Sequence, residues 1–241
     1  MKPVGFDQKI QFQHLDFLAN ALGTSKPIKL YEVLDDKLLG IIKGTMSRKH
    51  VITILMKIWV GVESEVEFIR DSIIKEYPYL SSDEKRCVHY CLACIAYPFY
   101  REQMNFLGKY LKMADTVKSK MLVSQMKSLY GDRRRVEVAS SAVFSSSKDW
   151  GVITMVKPGV YSATAIKLTL NDKLLKNLMI EVLMEHLNTN TVSIEMVNAS
   201  ALFFAFDYHI TVGDIDTKRF TIINNIRDTL IERNPQNPYS Y

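Results

Sequence analysis

Along the first hundred or so residues the apolar positions recur three and four apart, the spacing that gathers them on one face of an α-helix. In "FQHLDFLANAL" they are Phe12, Leu15, Leu18, Ala19 and Leu22, and in "KLYEVLDDKLLGII" they are Leu30, Val33, Leu34, Leu38 and Ile41. "SRKHVITILMKIW", headed by Ser47, continues the series. "SEVEFIRDSII" and "SSDEKRCVHYCLACIAY" open with Ser64 and Ser81, each followed three residues later by a glutamate (Glu67, Glu84), the spacing of a capping box. Pro98 has no N–H to continue the ladder, so it ends or kinks the last of these helices before Phe99 to Met113 resumes the pattern.

After Asp115 the texture changes. "DTVKSKMLVSQMKSLYGD" predicts a capped helix with Val117, Met121, Leu122, Met126 and Leu129 inside and Gly131 closing it. A tight turn leads into a second helix, "RRRVEVASSAVFSSSKDWG". The β-rich runs from Val152 to Val156 and from Val160 to Thr164 flank Lys157, Pro158 and Gly159, which predicts a hairpin. Beyond it, "NDKLLKNLMIEVLMEHL", capped by Asn171, reads as one more amphipathic helix. "ALFFAFDYHIT" and "KRFTIINNI" read as strands, and the terminal "RNPQNPYSY" is turn-rich. The expected fold class is mainly α: a helical domain over 1–113, a helix–turn–helix with a hairpin over 114–165, and a small α/β region over 166–241. No internal repeat or low-complexity tract interrupts it.

Composition places this pattern in a globular protein, since 241 residues at 47% hydrophobic content can bury a core. Three cysteines packed within eight residues do not make a paired disulfide framework, so the expected setting is the reducing cytoplasm. Asp7, Lys9 and Asp16 interrupt the N-terminal stretch, which therefore lacks a signal-peptide core. The longest uncharged apolar segment, Val88 to Tyr100, has thirteen residues, short of the roughly 20 that span a bilayer. A soluble protein without membrane contact is expected.

"CVHYCLAC" (Cys87, Cys91, Cys94) resembles the cluster signature of radical S-adenosylmethionine enzymes, with Ala93 where those enzymes usually carry an aromatic. On a helix, however, the outer cysteines are separated by roughly 10 Å of axial rise, and His89 lies about 200° around from Cys87. The expectation is a buried helical stripe without cluster, metal or other cofactor. His14, His50, His186 and His209 lack metal-ligand spacing, and Glu185-His186 reads as a solvated pair. Neither a phosphate-cradling glycine motif nor a G-x-S-x-G elbow occurs, so no catalytic residue is assigned and a non-enzymatic role is expected.

Charge is informative mainly through its placement. The chain carries 31 Lys plus Arg against 26 Asp plus Glu, a net +5. Between Lys112 and Arg135 lie seven cations (Lys112, Lys118, Lys120, Lys127, Arg133, Arg134, Arg135) against Asp115 and Asp132. Three successive arginines at a helix start oppose the helix dipole, so an anionic partner explains them better than stability does.

The segment "VKSKMLVSQMKSLYGDRRRVEVASSAVFSSSKDWGVITMVKPGVYSA" resembles the winged helix-turn-helix superfamily. That resemblance implies that the second helix lies in a DNA major groove and that the hairpin, or wing, touches the backbone. Carried onto this chain it implies Arg133, Arg134, Arg135, Ser140 and Ser141 facing the groove, Lys157 at the wing tip, and Lys118, Lys120 and Lys127 in the surrounding basic block. Double-stranded DNA is the implied partner. Val136, Ala139, Val143, Phe144 and Trp150 form the inner face of that helix, and Glu137 and Asp149 dilute its basic side. The alternative expectation is an adaptor that docks a protein partner or a second copy through the same faces. A weaker, whole-chain pattern, "VHYCLACIAYPFYREQMNFLGKYL" leading into a winged helix, resembles BrxA-type accessory proteins of bacterial BREX phage-defence systems. It implies a DNA-associated regulatory or accessory role.

Overall fold

Ser81 opens the helix around which the rest of the chain is arranged. Its hydroxyl accepts a hydrogen bond from the Glu84 amide at 3.3 Å, and the Glu84 carboxylate accepts one from the Ser81 amide at 2.7 Å, completing the expected capping box. Helix α5 (Ser82–Ala96) then runs until Pro98, which becomes the first residue of α6 (Pro98–Leu111), with Tyr97 alone between the two. Every residue from Cys87 to Ala96 is buried, so α5 is a central helix and not an amphipathic one. It is surrounded by α3 (Thr45–Trp59), α6 and α9 (Lys173–Leu187), with α1 (Phe12–Leu22), α2 (Pro27–Leu39) and α4 (Ser64–Glu76) completing the layer. The computed structural model describes residues 2–23, 27–62, 64–164, 173–225 and 228–234. The Ser64 side chain, Asn171 and the 235–241 tail, on which expectations were placed, lie outside these residues.

From α6 onward the chain alternates elements in the expected order. A short strand β1 (Val117–Lys118) leads into α7 (Ser119–Tyr130), then α8 (Arg134–Asp149), then the hairpin β2 (Ile153–Lys157) and β3 (Val160–Ala163). The sheet is antiparallel with order β1-β3-β2, pairing Val117 with Tyr161 and Ile153 with Ala163. Val117 is thus a strand residue, and α7 begins later than the helix predicted from Asp115, because the β3 edge captures this backbone first. Gly131, at φ 90°, closes α7. Gly151, at φ 72°, closes α8: the Gly151 N–H donates to Lys148 O (3.1 Å) and the Val152 N–H to Ser147 O (2.9 Å), a Schellman stop. The hairpin is then clamped to α8 by stacking of Tyr161 on Phe144, ring centroids 4.5 Å apart.

The C-terminal part adds a second antiparallel sheet, order β4-β6-β5, from β4 (Thr191–Ser193), β5 (Phe220–Asn224) and β6 (Thr229–Arg233), with a short helix α10 (Ile194–Asn198). "KRFTIINNI" supplies β5 as expected, but "ALFFAFDYHIT" is not a strand. It forms a 3₁₀ turn at Ala201–Phe203 followed by irregular chain. Leu202, Phe203, Ala205 and Phe206 are all buried, a pattern that a strand with one solvated face does not provide. The Ser200 hydroxyl accepts from the Leu202 amide (3.3 Å), and Tyr90 Oη donates to Leu202 O (2.6 Å), drawing the turn onto the central helices. Gly108 on α6 allows this approach, since a Cβ there would lie 1.9 Å from Ala201 O. The sheet is fastened to α9 by Glu181, fully buried between Arg219 and Arg233. Among the described residues, no helix is long and apolar enough to cross a membrane.

Candidate nucleic-acid interface

Helix α8 separates its residues by the 3.6-residue period. Val136, Ala139, Ser140, Val143, Phe144, Ser146 and Ser147 face inward and are buried, whereas Arg134, Glu137, Val138 and Ser141 are exposed and line one shallow groove. Ser140 is therefore a correction to the sequence expectation. It falls in register with Val136 and Phe144 against α6, where Gln103 Nε2 donates to its carbonyl at 3.2 Å, so it cannot reach a groove with Ser141.

The three arginines also diverge. Arg133 stands outside the helix as its N-cap, with an extended backbone, and its guanidinium donates to Tyr130 O (2.8 Å) and Lys2 O (3.2 Å). It ties the end of α7 to the N-terminal segment and is not turned outward. Arg135 makes an ion pair with Asp7 at 3.3 Å. Of the three, Arg134 alone lines the open groove.

Both partners belong to an N-terminal strap, residues 2–11, that runs along α8 and that periodicity did not predict. Ile10 anchors its far end: its amide donates to Ser146 Oγ (2.8 Å), and its carbonyl accepts from Trp150 Nε1 (2.9 Å). The Phe12 amide donates to Asp149 (2.8 Å), which also pairs with Lys9 (3.0 Å). Phe6 is buried among Tyr97, Tyr100 and Trp150, with ring centroids at 5.4, 5.1 and 6.1 Å, and holds a left-handed φ of 63°. The sequence signal for this strap is slight: the apolar Val4, Phe6 and Ile10 stand two and four apart, a spacing too short and irregular to name a destination.

These contacts change the charge that solvent meets. Lys127 pairs with Asp132 (2.8 Å) and Glu137, hydrogen bonds that hold its ammonium pKa above the ordinary lysine value. Lys112 donates to Ala199 O. Among the described residues, the cations left without an ion pair on this unit include Lys118, Lys120, Arg134 and Lys157, all exposed. Three of them converge. Lys118, Val160 and Lys157 are Cα partners in one row across the sheet, and the Ser119 amide donates to Gly159 O (2.8 Å), which sets the first turn of α7, with Lys120 in it, beside the hairpin turn. Lys118, Lys120 and Lys157 thus form a cationic end to the sheet, and Arg134 and Ser141 an outer face to α8.

The cysteine motif lies on the unbroken helix α5, with Cys87 and Cys91 sulfurs 3.9 Å apart. Burial pushes the Cys91 and Cys94 thiols above the ordinary value, which disfavours the reactive thiolate. His89 points elsewhere. Its Nδ1 accepts from Trp59 Nε1 (3.2 Å), so Nε2 carries the proton and meets Tyr77 Oη (2.8 Å), which donates to Asp16 (2.8 Å). Among the described residues, no group of three or more His, Cys, Asp or Glu side chains is placed to hold a metal ion. No protein-family model, curated protein or solved structure matches the chain.

Proposed function

We propose that this chain is a non-enzymatic accessory or regulatory protein that binds duplex DNA through a winged helix-turn-helix unit spanning α6 to β3. The reading is carried by one observation: unpaired cations stand on the outer face of a helix (Arg134 on α8) and at the end of the sheet where the hairpin turns (Lys157 on β2, Lys118 on β1 and Lys120 at the start of α7). The succession helix, short strand, helix, helix, hairpin, with sheet order β1-β3-β2, supports it as the frame in which such a helix enters a major groove and such a hairpin meets phosphates. In this reading Arg134 and Ser141 face the bases, the three lysines meet the backbone, and Arg133 and Lys127 serve the fold. The resemblance to BrxA-type proteins gives the proposal its setting, an accessory component of bacterial phage defence acting in the cytoplasm.

The test is duplex-DNA binding by fluorescence anisotropy across a salt series. Affinity is expected to fall steeply with salt, and Lys118→Ala combined with Lys157→Ala is expected to flatten the logarithmic slope by about two contacts, roughly 0.9 each. A salt slope unchanged in the double variant, with the circular-dichroism spectrum intact, overturns the reading. The competing reading, an adaptor that docks protein, draws on the exposed Met155 and Val156 of the hairpin. A Met155→Ser variant that loses self-association or a partner while retaining DNA binding favours that reading.

A further inference from the structure

The outer face of α8 presents one large apolar side chain to solvent among polar ones. Val138 is 45% exposed, and among the described residues of α8 it is the large apolar side chain left facing solvent. A β-branched residue loses rotamer freedom in a helix, and an exposed one gains little by burial in return. Its neighbours on the same stripe, Arg134 four residues before and Ser141 three after, are polar. Glu137 is drawn to Lys127. The stripe therefore presents a cation, two methyl groups and a hydroxyl in succession.

Resting on the DNA-binding reading, we propose that Val138 is a specificity-determining residue that packs against the C5-methyl of a thymine, while Arg134, one turn earlier, reads a guanine. The chemistry of base edges supports the pairing. In the major groove thymine alone presents a methyl group, and guanine presents two acceptors matched to a guanidinium. The geometry is compatible as well. From Arg134 to Val138 the helix rises about 6 Å and from Val138 to Ser141 about 4.5 Å, so the stripe spans about three base-pair steps of 3.4 Å. Ser141, able to donate or accept, tolerates any base at the far end.

The experiment is selection from a randomised duplex library with the full chain, followed by anisotropy on the selected duplex with each thymine replaced singly by deoxyuridine, which lacks only the methyl. One position is expected to lose about fourfold in affinity, the effect of one buried methyl. Val138→Ser is expected to bind the thymine and uracil duplexes equally, and Arg134→Ala to lose its preference at a guanine by tenfold or more. Val138 is on the surface, so the variant folds. Equal affinity of the unsubstituted chain for every uracil duplex overturns the inference, as does an unchanged selected sequence for Val138→Ser. Selection of no sequence while salt-dependent binding persists also overturns it and leaves the DNA-binding reading standing. Absence of binding to any duplex overturns both.

Discussion

Acidification should destabilise this protein through one buried imidazole. His89 accepts from Trp59 and meets Tyr77 in a fully enclosed site, its ring 5.5 Å from Trp59 and 5.7 Å from Tyr77. Burial, reinforced by the Lys85 ammonium, pushes its pKa down to about 3. A protonated ring would also confront the Trp59 N–H, donor against donor, on Nδ1. In the unfolded chain the same side chain titrates near 6.5. As pH falls through 6.5 the unfolded state takes up a proton that the folded state refuses, so stability is lost from there down to about pH 3. Between pH 7 and pH 5 the loss from this group is about 2 kcal/mol, approaching about 1.4 kcal/mol for each further pH unit. Urea unfolding followed by tryptophan fluorescence at pH 7, 6 and 5 measures it, with His89→Gln as the reference that carries every other titrating group unchanged. Wild type should lose about 2 kcal/mol more than the variant over that interval. Equal pH dependence in the two proteins, or a His89 imidazole that titrates near 6.5 by NMR in the folded state, refutes the assignment.

Gly108→Ala should destabilise the fold by about 1–3 kcal/mol or more despite the better helix propensity of alanine, because the new Cβ meets Ala201 O at 1.9 Å; a melting temperature equal to or above wild type counts against the close packing of that turn. Asp7→Asn removes the anion paired with Arg135 and leaves one more unneutralised cation at the start of α8, so on the DNA-binding reading affinity should rise severalfold with a steeper salt dependence; an affinity below wild type, with the fold intact, counts against that reading. The α5 thiols should react with a disulfide reagent at the rate of global unfolding, given the burial of Cys87, Cys91 and Cys94, and rapid labelling of the native protein would show that the helix opens locally.

Local patterns in the sequence reach as far as local causes do. Helices α1 to α6, the Ser81–Glu84 cap and the hairpin around Pro158 and Gly159 follow from periodicity, side-chain capping and turn chemistry, each settled within a few residues. "ALFFAFDYHIT" carries the same apolar content as a strand, and what holds it as a turn against the central helices includes Tyr90 on α5 and the space left by Gly108 on α6, both far away in sequence. The basic face shows the same limit. Counting charges between Lys112 and Arg135 includes Asp132 but not Asp7, which comes from the other end of the chain, nor the carbonyls of Lys2 and Tyr130 that hold Arg133. Ser140 and Ser141 are adjacent in sequence, and about 100° of helical rotation puts one in the core and the other in solvent.

The strap along α8 bears on how such a protein folds and how its parts can be exchanged. Ile10 meets Ser146 and Trp150 across separations of 136 and 140 residues, so the strap docks only once the chain through Trp150 is available to receive it. Contacts of that range close late and slow folding. A fragment cut from Pro98 to Thr164 would keep every helix and strand of the candidate binding unit, yet it would leave the Trp150 N–H without its acceptor and the Phe6 site open to water. Grafting that unit onto another protein therefore requires carrying residues 2–11 with it, as a covalent extension or as an added peptide.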